Sequence, residues 1–308
     1  YYCVITLSAG GCTSITSNTA TVTVTELPSI STQPLSTQRI CQGGTIAPLT
    51  VAYTDGTGTP SYQWYSNTVN SNSGGTIIPG AQSNNYTPSA FNTTGTFYFY
   101  ATVSLSGSGC GNITSNTAQV TVVEDPVVTS PPLSSQTVCQ NTTPTTLSVS
   151  ATGGEGTFSY QWYSNTVNSN SGGAIIPSAQ SDSYIPPTTT VGTTYYYALI
   201  SQSGLGCGVA SPTAKVEVVA QPSFTTHPTS SSVCQGGTPT TLSVAYQNGT
   251  GTPSYQWYSN TVNSNSGGTI IPTAQSDSYI PPTATVGTTY YYCVITLSAG
   301  GCTSITSN

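Results

Sequence analysis

Nine cysteines, one histidine and eight carboxylates are the side chains of this 308-residue chain that could do chemistry. Hydrolysis or group transfer needs a base or a metal beside a nucleophile. His227, the single histidine, stands before Pro228, a position that reads as structural. Asp55, Glu155, Asp182 and Asp277 stand singly, most of them in or near turns, and no D-x-D-x-D-G run marks a calcium loop. No C-x-x-C pair occurs to start a zinc site. An intramolecular Lys–Asn crosslink would need a lysine in every domain, and Lys215 is the only one. The expectation is no catalytic residue, no metal and no cofactor: not an enzyme. That leaves the cysteines, whose meaning depends on the elements that position them.

Those elements repeat. The stretch Ser-Tyr-Gln-Trp-Tyr-Ser-Asn-Thr-Val-Asn-Ser-Asn-Ser-Gly-Gly at residues 61–75 returns unchanged at 159–173 and 254–268, offsets of 98 and 95. It carries the three tryptophans, Trp64, Trp162 and Trp257, expected as core markers. Residues 1–18 are identical to residues 291–308, so the chain reads as a window on a longer array. Within a repeat, a Cys-Gln pair precedes an alternating strand such as Leu49-Val51-Tyr53. The Trp strand, its polar loop and a long aromatic strand follow, and a period-2 strand closes the unit, as at Ala118-Val120-Val122. Strict alternation marks strands with one face buried, and there is no helical period. About seven short strands per repeat, punctuated by turns, predict an all-β chain of tandem immunoglobulin-like β-sandwich domains. Expected segments are 1–25, the closing hairpin of a preceding repeat, then repeats at 26–124, 125–220 and 221–308, the last without its final strand. Short proline-containing connectors such as Glu26-Leu27-Pro28 leave little slack, so a stiff rod is expected.

An inward Trp on the third strand and an aromatic strand ending Tyr291-Tyr292-Cys293 resemble the Trp and Tyr-x-Cys features of immunoglobulin domains. Cys-Gln, then Y-Q-W-Y, then an aromatic strand and Gly-Cys or Gly-Gly-Cys resemble the Ig-like repeats of large Bacteroidota surface proteins, notably SprB-type gliding-motility adhesins exported by the type IX system. The resemblance covers the whole chain and implies a cell-surface adhesin. The chain departs from antibody-type domains in placing its first cysteine 23 residues before the Trp, ahead of the second strand.

Aligning the repeats puts Cys41 and Cys110, Cys139 and Cys207, and Cys234 and Cys302 at two matched positions. Pairing within each repeat would close loops of ~70 residues, worth roughly 4 kcal/mol each from chain entropy. Cys12 is the equivalent of Cys302, with its partner upstream. Cys3 and Cys293 fall where other repeats have Ala101 and Ala198. They read as small buried thiols, or as part of an exchange in which Cys293 takes Cys234 and leaves Cys302 free. Matched cysteine pairs imply an oxidising compartment, hence an extracellular, cell-surface location.

Charged residues are 3% of the chain, net charge is −6, and Arg39 and Lys215 are the only basic residues. Nothing could neutralise nucleic-acid phosphates or hold an anionic membrane surface, and no apolar run approaches a membrane span. Alternation from Trp64 and Ala101 turns Tyr65, Tyr98 and Tyr100 outward. Their counterparts are Tyr163, Tyr195 and Tyr197, then Tyr258, Tyr290 and Tyr292. The expectation is an exposed tyrosine stripe, serving either as cross-strand packing or as a repeated weak contact surface. Partners that fit the second reading are neighbouring repeats, surface glycans or parallel filaments. The functional expectation is a structural or adhesive stalk. The alternatives are a filament subunit joined head to tail by strand complementation and a glycan-binding accessory module.

Overall fold

The computed structural model describes residues 1–11, 13–107, 111–302 and 304–308. The chain divides into two compact units, Tyr1–Asp125 and Pro126–Asn308, and the elements described are β-strands throughout. Among the described residues, no helix is long and apolar enough to cross a membrane.

The first unit opens with a two-stranded hairpin, Val4–Ile5 against Ile15–Thr16. The sandwich that follows has one large sheet. Its order is Thr37–Cys41, Ala118–Val123, Gly95–Leu105, Pro60–Asn67, Thr76–Ile77, with Ile113–Thr114 also pairing on the aromatic strand Gly95–Leu105. The opposing layer is two short pairs, Ser29–Thr32 with Ala52–Thr54 and Leu49–Thr50 with Asn85–Tyr86. Register explains the core. The Trp strand Pro60–Asn67 sets Trp64 opposite Ala101 and Tyr62 opposite Val103, so a large side chain meets a small one across the pair. Leu49, Val51, Trp64, Ala118 and Val120 are fully buried, and such side chains contribute roughly 1.5–3 kcal/mol each by leaving water. The indole N–H of Trp64 donates to the Ser83 carbonyl at 3.0 Å, so burying it strands no polar group.

The leading strand Thr37–Cys41 lies parallel to the closing strand Ala118–Val123, while the closing strand runs antiparallel to the aromatic strand. These are the features of an Ig-like sandwich.

The second unit holds two more repeats. In the first of them the large sheet has the same order: Ser135–Cys139, Ala214–Val219, Gly192–Gln202, Phe158–Asn165, Ala174–Ile175. In the last repeat the sheet shrinks to Thr269–Ile270, Thr250–Asn260, Tyr290–Ala299, Ser304–Thr306. Residues 227–241 carry no strand where the other repeats have their leading strand. The physical reason is pairing: a leading strand hydrogen-bonds only to the closing strand, and within these residues the last repeat has none.

Candidate functional site

The cysteines correct the within-repeat expectation. Cys139 is bonded to Cys302, with a Cα–Cα distance of 5.1 Å across a sequence separation of 163. The bond therefore joins one repeat to the next. Cys207, the expected partner of Cys139, is disulfide-bonded elsewhere, as is Cys41. Cys234, the expected partner of Cys302, is a free and exposed thiol. Cys12 and Cys110 lie outside the described residues.

Strand direction gives the reason. Cys139 ends the leading strand opposite Val219, and neighbouring Val218 faces Gly192, the first residue of the aromatic strand. That strand runs 11 residues to Gln202, whose N–H bonds the Cys207 carbonyl at 2.9 Å. Eleven residues at ~3.3 Å put the two cysteines of one repeat ~35 Å apart, and a disulfide needs Cα atoms within ~7 Å. The two positions sit at opposite ends of the sandwich.

The junction around the bond is built rather than incidental. Cys139, Val219 and Cys302 form a buried apolar cluster. Gly300 and Gly301 make the hairpin tip that presents Cys302, with φ of +81° and +70°. A Cβ on Gly301 would lie 3.4 Å from the Cys139 nitrogen, so the tip is seated against the edge of the preceding repeat. Gln221 donates from Nε2 to the Gln140 carbonyl at 2.9 Å beside it. His227 accepts from the Asn308 N–H at Nδ1, 3.1 Å away, and packs on Phe224 with ring centroids 5.1 Å apart. Its role is structural.

Cys293 is a buried free thiol and Cys3 an exposed one. Burial pushes the Cys293 thiol up to about 11. The exchange pairing of Cys293 with Cys234 does not occur, since both are free.

The tyrosine stripe also needs correction. Tyr65 stacks on Tyr100 with centroids 5.0 Å apart and planes 6° apart, and Tyr163–Tyr197 and Tyr258–Tyr292 repeat the arrangement. These rings do lie on the face away from the Trp core. However, Tyr100, Tyr197 and Tyr292 are buried, while Tyr65, Tyr98, Tyr163, Tyr195, Tyr258 and Tyr290 are half-buried. The cover is the invariant loop. Its Gly75 N–H donates to the Tyr100 hydroxyl at 3.1 Å, and Gly173 and Gly268 do the same to Tyr197 and Tyr292.

Asn67 holds the loop in shape, donating from Nδ2 to the Ser71 and Ser73 carbonyls at 2.9 and 3.1 Å. Asn72 ties it to the Ser115 carbonyl at 3.0 Å, and the Thr117 hydroxyl donates to Asn70 Oδ1. A Cβ on Gly75 would sit 2.7 Å from the Ser66 carbonyl oxygen and 2.9 Å from the Tyr100 ring. Asn67, Asn70, Asn72 and Gly75 thus each have a fixed task in the loop, which accounts for their recurrence at these positions. Sequence reasoning could have met it in the polar spacing Asn67, Asn70, Asn72, but not in the hydrophobic pattern. Among what the face leaves in water are apolar side chains: Val69 and Ile77, with Val167 and Ile175, then Val262 and Ile270, all at least half exposed.

A protein-family model described as a domain of unknown function (DUF8696) matches residues 31–124, 132–220 and 224–308. The chain belongs to this family. Its three DUF8696 repeats coincide with the three Trp-centred sandwiches. No curated protein matches the chain. Among solved structures, a three-domain I-band fragment of titin aligns at 17% identity over 93% of this chain and 97% of that one, with a TM-score of 0.48. Extracellular domains 3–5 of Drosophila OTK align at 15% identity over 92% and 95%, with a TM-score of 0.40. The Ig-like assignment of the DUF8696 repeats rests on their own sheet order and register. Disulfide-bonded Ig-like domains are typical of extracellular proteins.

Proposed function

We propose that this chain is a load-bearing segment of an extracellular structural or adhesive stalk. The observation that carries the reading is the Cys139–Cys302 bond, which ties one repeat covalently to the next. A within-repeat disulfide would protect only its own domain. A bond from the trailing end of one sandwich to the adjoining tip of the following one gives tension a covalent path that bypasses the chain between the two cysteines. The resemblance of the repeats to those of SprB-type gliding adhesins supports a cell surface as the site of use, with attachment to a substratum as the purpose. The covered tyrosines weigh against an exposed aromatic glycan platform.

The test is attachment of cells displaying the protein, measured with and without shear. With Cys139→Ser and Cys302→Ser, attachment at rest should be unchanged and detachment under flow should come at lower shear. Equal resistance to flow in both forms would end the load-bearing reading.

A further inference from the structure

Among the described residues, Cys293 is a buried thiol with no disulfide partner. It stands in the strand Tyr290–Ala299, directly opposite Trp257. The core does not require its sulfur, because Ala101 and Ala198, fully buried like Cys293, face the tryptophans of the other two repeats. Ser307 clamps its backbone: the Ser307 hydroxyl accepts from the Cys293 N–H at 3.0 Å, and the Ser307 N–H donates to the Cys293 carbonyl at 2.9 Å. The thiol donates weakly to the Val294 carbonyl at 3.7 Å. In the folded repeat it is protonated and shielded.

Nine residues further on lies Cys302, the half of the inter-repeat disulfide that this repeat supplies. The fold keeps the two sulfurs apart. Cys293 to Ala299 is six residues of strand, ~20 Å, before the tip of Gly300 and Gly301 that presents Cys302. A disulfide needs Cα atoms within ~7 Å. Once the strand is lost, the balance reverses. Closing a loop costs more entropy as the loop lengthens. The bond from Cys302 to Cys139 spans 163 residues, whereas one to Cys293 would span nine. In an unfolded chain the shorter loop is favoured about eightyfold. Gly300 and Gly301, next to Cys302, supply the flexibility a short loop needs. The same nine-residue spacing recurs at Cys3 and Cys12.

We propose that Cys293 is a fold-gated thiol that moves the inter-repeat bond: when the last repeat opens, the Cys293 thiolate attacks Sγ of Cys302 and releases Cys139. The proton of Cys293 goes to water. The Cys293–Cys302 bond forms as the Cys139–Cys302 bond breaks, and the departing Cys139 thiolate takes a proton from water. One disulfide replaces another, so no oxidant or reductant is consumed. Opening supplies what the step needs, which is access and a thiol that returns from about 11 to its ordinary 9.0, so that thiolate becomes available. The consequence is uncoupling. The opened repeat loses its covalent tie to its neighbour, and the new bond holds Cys293 and Cys302 too close for the aromatic strand to straighten. The exchange depends on the Cys139–Cys302 bond and not on any load that bond carries.

The test uses the 308-residue chain with its exposed thiols, Cys3 and Cys234, capped by iodoacetamide in the folded state. The dilute protein is held at about pH 9, where roughly half of an unfolded thiol is ionised, with and without concentrated guanidinium chloride and with no oxidant or added thiol. It is then quenched in acid, labelled with N-ethylmaleimide and digested without reduction for peptide mass mapping. In denaturant, Cys293–Cys302 peptides should outnumber Cys139–Cys302 peptides about eightyfold, and Cys139 should carry the maleimide. Without denaturant the Cys139–Cys302 bond should persist. Cys293→Ala, which places the residue of the other repeats at this position, should keep that bond in both conditions. Retention of the Cys139–Cys302 bond by the unfolded original chain overturns the exchange. Equal release of Cys139 in Cys293→Ala overturns Cys293 as the attacking thiol, and exchange in the absence of denaturant overturns the gating by the fold.

Discussion

Pulling the second unit between residues 125 and 308 should reveal the disulfide as a hidden length. In the oxidised protein, force entering before Pro126 reaches Cys139, crosses the sulfur bridge and leaves from Cys302, so the chain between them bears no load. The bridged Cα atoms are 5.1 Å apart and 163 residues apart in sequence. At ~3.4 Å per extended residue, that segment holds ~550 Å of contour. Optical-trap extension with handles at positions 125 and 308 should show almost none of it until a thiol reductant is added, then all of it as the two sandwiches unfold. Cys302→Ser should release the same length without reductant. The bond should also stabilise the pair of repeats by about 5 kcal/mol from chain entropy, at the upper end of what disulfides supply. Within-repeat bonds would behave differently. Cys139 and Cys207, like Cys234 and Cys302, are separated by 68 residues, so two reductant-dependent releases of ~230 Å each would refute the inter-repeat path.

Other perturbations test the loop and the buried thiol. Gly75→Ala drives a Cβ to within 2.7 Å of the Ser66 carbonyl oxygen, and should cost about 1–3 kcal/mol as overpacking, read as a lower thermal midpoint. Tyr100→Phe removes the acceptor for the Gly75 N–H. It should cost about 0.5–1.5 kcal/mol and raise proteolysis within residues 66–75. Iodoacetamide near pH 8 should label Cys3 and Cys234 on the folded protein, and Cys293 only after unfolding, by peptide mass mapping. Burial raises the Cys293 thiol from 9.0 to about 11, so the unfolded chain loses this proton first. Its contribution to stability should be whole below about pH 9 and fall as pH rises toward 11, an effect that Cys293→Ala removes from denaturant titrations.

The hydrophobic alternation was enough to place the sandwiches. Trp64 opposite Ala101, the buried run of Ala118, Val120 and Val122, and the outward turn of Tyr65 and Tyr100 all follow from a period of two. Burial of the tyrosines did not follow, because alternation states which face a side chain takes and is silent about what lies over that face. The cover is polar and irregular. Asn67 and Asn72 hold it through carbonyl groups four to 43 residues away, a pattern with no period to detect.

The within-repeat cysteine pairing fails for a related reason. Alignment shows that two positions match from repeat to repeat, and that evidence is equally consistent with bonds inside a repeat and bonds between repeats. Polarity separates them, and it comes from the sheet pairing that sets Cys139 beside the start of the aromatic strand. The first cysteine comes just before the second-strand region, and the second comes after an uninterrupted aromatic strand of about eleven residues. A straight strand of that length cannot return to its starting end within the five residues from Gln202 to Cys207, since those span less than ~18 Å even when fully extended. With Cys139 placed beside the start of that strand by the sheet pairing, the within-repeat bond is out of reach. In the second unit the partner of Cys139 is Cys302 of the next sandwich, and Cys234 stays free.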